Sequence, residues 1–329
     1  MGKLGVISRN PSMNGTGAPT GYFQLSTLKA VYRHSSEGEM ENLRGILFMV
    51  VAMGAFAVED ALIKSTTQTI PTAQLALSVG SMGTVALLIL CRIIRVPLLN
   101  AALLHPAVIA RNLADIVGVV FFISALALAP LTTLAALIQV TPLTLTFCAA
   151  LLLGEHVGWR RWTAVFVGFA GMLLIIKPGS DAFDSTTLLA VGAVVCLTAR
   201  DLATRFVPKD MHNLQLTTYG FSTMIPAGLV LWPFAEATVS PTGLQWSVLA
   251  IISTLGLIGY YAVTAAMRLG EVSVISPFRY TRLILAMIIG LVFFNETPDT
   301  ITWIGAGMIV TAGLYLLYRE AVQRRTQTV

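Results

Sequence analysis

The sequence predicts an all-α, polytopic membrane protein, with ten transmembrane helices set as two inverted five-helix repeats. Three observations predict it. The chain is 56% hydrophobic and only 11% charged, with mean hydropathy +0.78, where a soluble domain carries about 25% charged residues. Its apolar residues fall into ten runs close to the ~20 residues that cross a bilayer. The two halves also align at a constant offset of 141 residues.

Residues 1–42 are polar and hold no continuous ~7–15-residue apolar core, so no cleavable signal peptide is read there. They are expected to form a disordered cytoplasmic tail, with Met40 as an alternative start. The spans follow at approximately 44–64, 71–92, 107–128, 131–153, 160–177, 186–206, 214–234, 246–267, 273–294 and 300–318. Short connections leave no room for a soluble domain. The expected organisation is tail 1–42, first repeat 43–178, second repeat 179–320, and a cytoplasmic end 321–329.

Orientation follows from Lys and Arg. With the N-terminus inside, 15 of the 21 basic residues fall in inner segments, among them Arg92, Arg95, Arg160, Arg161, Arg268 and Arg319. Only Lys64 and Lys177 fall outside. This bias predicts both termini in the cytoplasm. It also explains the net charge of +5 without nucleic acid. Cys91, Cys148 and Cys196 lie in apolar runs with no metal spacing and read as packing residues.

At the 141-residue offset, Glu59-Asp60 meets Arg200-Asp201, Lys64 meets Arg205, Gln74 meets Gln215, Gly118 meets Gly259, Glu155 meets Glu296 and Trp162 meets Trp303. Five spans per half is odd, so the second half enters the membrane upside down. Inverted repeats of this kind build secondary transporters that bind substrate near the midplane.

The candidate site centres on Val274–Arg282, VISPFRYTR, and on its counterpart Thr133–Thr141. Arg282 lies about nine residues into span nine, or ~13 Å at ~1.5 Å per residue. That is near the middle of a ~30 Å core, where charge costs ~2.5–3.5 kcal/mol and faces a bundle interior or a cavity. Two readings stand for Arg279 and Arg282: a structural ion pair, or the wall of a transport pathway. Tyr280 corresponds to Gln139, and both types donate and accept hydrogen bonds, which suits opposite walls of one pocket.

Asp60–Lys64 and Asp201–Arg205 are acid-before-base pairs at i, i+4, and are expected to act as local salt bridges or as gates. Glu59 has Ile63 at i+4, so it is the freer group for a proton or a cationic substrate. Arg111 and Asp115 are expected to pair locally, with Arg111 snorkelling to the inner boundary. Glu155 and Glu296 are expected to cap the helix that follows each. Phe121-Phe122, Tyr260-Tyr261 and Phe278 read as packing aromatics able to stack on a planar substrate. Gly168, Gly171, Gly305, Gly307 and Gly313 read as close helix contacts.

Four passages carry a family resemblance: Leu137–Pro142 running into Leu153-Gly154-Glu155; Arg161-Trp162 with Gly168–Gly171; Pro277–Tyr280 running into Phe294-Asn295-Glu296; and Gly305–Gly313. Over roughly 43–320 the chain resembles the drug/metabolite transporter superfamily, in its ten-helix group of two EamA repeats. In the second copy Asn295 stands where the first has Gly154. AVEDALIK, SPFRYTR and FNETPD resemble bacterial riboflavin importers most, and S-adenosylmethionine uptake carriers next.

The resemblance implies a multi-pass transporter of the bacterial inner membrane for a small polar or planar metabolite, riboflavin first, with no cofactor. S-adenosylmethionine uptake, or export of amino acids or drug-like molecules, is the alternative. Arg279, Tyr280, Arg282, Gln139, Glu59, Asp60, Asp201 and Arg111 would line the pathway, with proton coupling through Glu59 or Asp60 and a homodimer both admitted. No GxxxxGK[ST], HExxH or GxSxG occurs, which leaves a membrane enzyme or a sensor as the weaker classes.

Overall fold

A computed structural model describes residues 21–98, 101–154, 157–208, 211–235, 238–269 and 272–327. The helices are α1 (Gly21–Thr66), α2 (Thr72–Ile94), α3 (Pro106–Leu128), α4 (Leu131–Ile138), α5 (Thr141–Leu152), α6 (Trp159–Ile176), α7 (Thr187–Thr204), α8 (Asn213–Ser222), α9 (Met224–Leu231), α10 (Gly243–Leu269), α11 (Val272–Ile275), α12 (Thr281–Phe293) and α13 (Thr300–Gln327). Among the described residues there is no strand. The chain divides into Met1–Glu41 and a bundle, Asn42–Val329. Helix already begins at Gly21, where the sequence reading expects irregular chain. The apolar span itself starts at Met40.

Nine helices among the described residues are long and apolar enough to cross a membrane. The tenth span is α8 plus α9, each too short alone. Pro226 sits in the third position of α9 and can donate no N–H to the turn before it, so the helix breaks at Thr223. Span four is likewise α4 and α5, parted at Gln139–Val140 just before Pro142. Span nine is α11, a 3-10 turn over Ser276–Tyr280 that contains Pro277, and α12. Both candidate stretches are therefore broken helices at mid-span, where unwound backbone is tolerated only inside protein or along a cavity.

Helix pairing follows the repeat. Offset by 141, spans one to five map onto six to ten. Gly118 of α3 lets Cys196 of α7 approach, and its counterpart Gly259 of α10 lets Phe56 of α1 approach. Three further pairs map onto themselves: α2 on α8 and α9, α4 on α12, and α6 on α13. At the last crossing Gly171 and Gly305 leave each backbone carbonyl against the other helix. Gly168 makes room for Leu143, whereas Gly307 faces open space and Gly313 lies beneath the Tyr280 ring. The expected glycine contacts thus hold for Gly168, Gly171, Gly305 and Gly313, while Gly307 makes none.

The α12 helix ends on Asn295 at φ 51°, and the α5 end turns on Gly154 at φ 65°. The two occupy equivalent places. A left-handed residue is needed there, and Asn is among the few non-glycine types that adopt it readily. This accounts for the departure from glycine in the second repeat. The buried core runs through the middle of the bundle, with Leu131, Leu134, Leu137, Leu143, Leu283 and Ala286 at its centre. Outer faces carry exposed apolar side chains such as Phe166, Leu173, Ile284 and Phe293, as lipid contact requires.

Candidate functional site

The breaks in spans four and nine meet at the centre. The Gln139 side-chain amide donates to the Arg279 carbonyl (3.2 Å), in the 3-10 turn that contains Pro277. Beside it, Arg282 donates to Asp60 through Nε (3.0 Å) and Nη2 (2.9 and 2.7 Å). This two-pronged pair joins span one of the first repeat to span nine of the second. Two rings flank the guanidinium, Phe56 at 5.1 Å and Phe122 at 5.9 Å. Arg–carboxylate forks are strong, directional contacts, and the flanking rings add cation–π attraction. A narrow cleft touches both members, bounded also by Phe122, Leu134, Ile138 and Gln139.

The local Asp60–Lys64 pair expected from sequence is replaced by distant ones. Asp60 takes Arg282, and Lys64 turns to the far repeat. Lys64 Nζ donates to the Ala129 carbonyl (2.6 Å) at the end of α3 and lies 3.7 Å from Glu296. Glu296 does not cap the following helix. It accepts from the Leu131 and Thr132 N–H groups (2.6 and 2.8 Å), which opens α4 of the other repeat. The cation thus sits at a helix C-terminus and the carboxylate at a helix N-terminus, each favoured by the backbone dipoles. The next helix, α13, is capped instead by Asp299, which accepts from the Thr302 N–H (3.1 Å) and hydroxyl (2.6 Å). Asp299 also pairs with Lys177 (2.7 Å). These hydrogen bonds, that from Lys177 first, hold its carboxyl down at about 2. Glu155 lies outside the described residues.

A second cluster gathers around Arg200. It pairs with neighbouring Asp201 (2.9 Å) and with Asp115 of α3 (3.3 Å), and Asp115 also accepts from the Thr223 hydroxyl (3.3 Å) at the break in span seven. Arg111 does not pair with Asp115, nor does it snorkel. It is buried against Gly220, with one guanidinium nitrogen donating to the Asn112 side chain (3.0 Å) and its Nε left without a partner.

Glu59 and Arg200 are repeat equivalents, as are Gly256 and Asp115. Arg200 meets Asp115 in an ion pair. The Glu59 carboxylate, half-buried, instead lies directly against Gly256. The symmetry that pairs one charge therefore leaves the other without an ion pair among the described residues, in the field of Arg282. Arg279 is exposed and its guanidinium has neither an ion pair nor a hydrogen bond among the described residues, although it lies in the field of Asp201 and Arg200. One carboxylate and one guanidinium thus stand uncommitted near the locked Asp60–Arg282 pair.

Tyr280 does not face the cleft. Its buried hydroxyl is tucked against Gly313 of α13, without a hydrogen-bond partner. Phe121 packs on Gly192 of α7. The cleft ring is instead Phe122, and Phe56, which flanks Arg282, escaped notice in the sequence. Its signal was available: it stands four residues before Asp60, one helical turn along the same face.

The profile of the EamA-like transporter family matches residues 43–177 and 185–319. A riboflavin transporter of Brucella anthropi is 29% identical over 213 residues, spanning 64% of this chain and 75% of that protein. An S-adenosylmethionine uptake transporter of Rickettsia bellii is 27% identical over 213 residues, 64% and 72% of the two chains. A pseudopaline exporter of Pseudomonas aeruginosa is 25% identical over 275 residues, 83% and 95%. A solved crystal structure superposes with a TM-score of 0.57 at 20% identity, covering 85% of this chain and 97% of that one.

Proposed function

We propose, since this chain belongs to the EamA-like transporter family of the drug/metabolite transporter superfamily, that it carries a small polar metabolite across the bacterial inner membrane by alternating access, with riboflavin uptake as its activity. The observation that carries the reading is the Asp60–Arg282 fork between the two repeats, flanked by Phe56 and Phe122 and opening on the Gln139 amide. A flat ring system can stack on such rings. A polyol tail can exchange hydrogen bonds with Gln139 and with Arg279, whose guanidinium is uncommitted. The cleft has room for about one water in this conformation, so substrate entry requires the repeats to move apart. Rocking of one repeat against the other would do this. The Lys64–Glu296 latch would open on the side that the positive-inside bias makes external, with both termini in the cytoplasm.

Glu59 favours a second reading. A carboxylate with no ion-pair partner among the described residues suits a proton or a sulfonium centre, so S-adenosylmethionine is the competing substrate and proton coupling through Glu59 the driving mode. The chain acts as a carrier in both readings, not as an enzyme. The test is rescue of a riboflavin auxotroph at low external riboflavin, followed by uptake of radiolabelled riboflavin and S-adenosylmethionine by the same cells. Rescue that Arg282→Ala abolishes at normal expression supports the riboflavin reading. Uptake of S-adenosylmethionine alone transfers the assignment to the second.

A further inference from the structure

The first turn of α6 is built against its own electrostatics. A helix N-terminus carries partial positive charge and favours acids, yet Arg160 and Arg161 stand there with no acidic residue in the turn. The N-cap, Gly158, supplies no side chain to the free N–H groups. Elsewhere His105, His212, Glu296 and Asp299 satisfy such groups at α3, α8, α4 and α13. At α6 no side chain among the described residues does so, Glu155 and His156 lying outside them.

A third arginine reaches the same place. The α6 and α13 helices run antiparallel through the Gly171–Gly305 crossing, which brings Arg319 beside the start of α6. Gly158, Trp159, Arg160, Arg161 and Arg319 line one cavity of about 260 Å³. None of the three guanidiniums forms an ion pair among the described residues. The Nε atoms of Arg161 and Arg319 are buried and have no hydrogen-bond partner among the described residues. Arg160 lies over the Trp159 ring at 5.3 Å, and Trp159 is 71% exposed. Buried N–H groups left unmade cost ~1–3 kcal/mol each, so the arrangement calls for an anion with several acceptor oxygens.

We infer that this cavity binds the phosphate of an anionic phospholipid headgroup. Arginine forks match phosphate oxygens in pairs. The volume is below the ~300–1,000 Å³ of pockets that enclose a drug-sized molecule, so a headgroup fits it better than a whole soluble metabolite. The position argues for a lipid source. Trp159 has the exposure of an interfacial anchor, and Phe166 further along α6 and Tyr318 next to Arg319 in the chain are exposed at 60% and 63%, as on faces turned to acyl chains. Basic pockets between helices on the cytoplasmic side hold headgroups in this way. The site is separate from the transport cleft and shares none of its residues.

The test uses the purified full-length protein in neutral detergent. Binding of phosphatidylglycerol is measured by native mass spectrometry, and the thermal shift it produces is read in parallel. Arg161→Gln/Arg319→Gln is expected to weaken phosphatidylglycerol binding about tenfold, equivalent to ~1.4 kcal/mol. Arg92→Gln/Arg95→Gln, which removes exposed arginines from the same membrane side outside any cavity, is expected to leave it unchanged. Phosphatidylethanolamine is expected to give no shift. Equal losses in the two double variants would mean diffuse surface attraction and overturn the site. A shift produced by inorganic phosphate alone, with no further gain from phosphatidylglycerol, would assign the cavity to free phosphate and overturn the lipid source. If Arg161→Gln/Arg319→Gln fails to fold, Arg160→Gln reads the same affinity from an exposed side chain.

Discussion

Arg282 and Asp60, 222 residues apart, hold the two repeats together through a fork of three hydrogen bonds between 2.7 and 3.0 Å. Their side chains are only 23% and 7% exposed. Removing one partner from such a pair strands a charge and costs ~3–5 kcal/mol. Asp60→Asn and Arg282→Gln are each expected to lower stability in denaturant titrations by about 3 kcal/mol. The double variant should regain much of that and still not transport. Single variants as stable as wild type would show that the pair does not hold the repeats.

Glu59 makes no hydrogen bond among the described residues, so Glu59→Gln should fold and express normally. If Glu59 carries the coupled proton, the variant's uptake should no longer respond to an imposed proton gradient, while exchange of internal for external substrate continues. Uptake that follows the gradient as in wild type would remove Glu59 from coupling.

The Glu296 carboxylate satisfies two N–H groups at the start of α4 and attracts Lys64. Glu296→Ala should cost ~1–2 kcal/mol from loss of the cap. It should also favour the conformation open on the Lys64 side. A cysteine placed at Leu134 would then react faster with an external, membrane-impermeant thiol reagent. An unchanged rate would mean that this contact does not gate the cleft.

A Cβ on Gly305 would stand 2.6 Å from the Gly171 carbonyl, whereas one on Gly307 would meet nothing within 4 Å. Gly305→Ala should therefore destabilise by ~1–3 kcal/mol through overpacking. Gly307→Ala should be neutral or slightly stabilising, since alanine is the better helix former. Equal effects in a thermal scan would contradict the close crossing of α6 and α13.

Asp299 has its carboxyl held at about 2, from an ordinary 3.8, chiefly by the hydrogen bond from Lys177. A depressed folded-state value means that the contribution is present in full above the unfolded value and lost as pH falls through the folded one. Asp299→Asn should lower the melting temperature modestly at pH 7, because the group is nearly half exposed and screened. The gap from wild type should close between about pH 4 and pH 2. A gap that persists at pH 2 would place the effect in the Thr302 cap alone.

Much of this architecture is legible in the sequence because a bilayer imposes one-dimensional rules. Span length, charge bias and the 141-residue offset need no tertiary contact to be read. The breaks at Pro142 and Pro277 are equally local, and so is the left-handed turn at Asn295. The partners of the charges are another matter. Asp60–Lys64 has good helical spacing, yet Lys64 sits at the helix end, where the carbonyls closing α3 and the carboxylate of Glu296 are nearer competitors. Arg282 reaches Asp60 from a different helix with a geometry that no i, i+4 pair can match.

What the sequence alone determined is the class of molecule, its ten spans and its repeat. These follow from the cost of placing polar groups in hydrocarbon, which acts on each segment separately. The tertiary structure decided which charges are locked and which stand free. It paired Arg282 with Asp60 and Arg200 with Asp115, set Glu59 against a glycine, turned Tyr280 away and brought Phe56 and Phe122 in. The reason is that charges in a low-dielectric interior settle on the partner with the best fork and the least water. Helix crossings, not sequence spacing, determine where that partner lies.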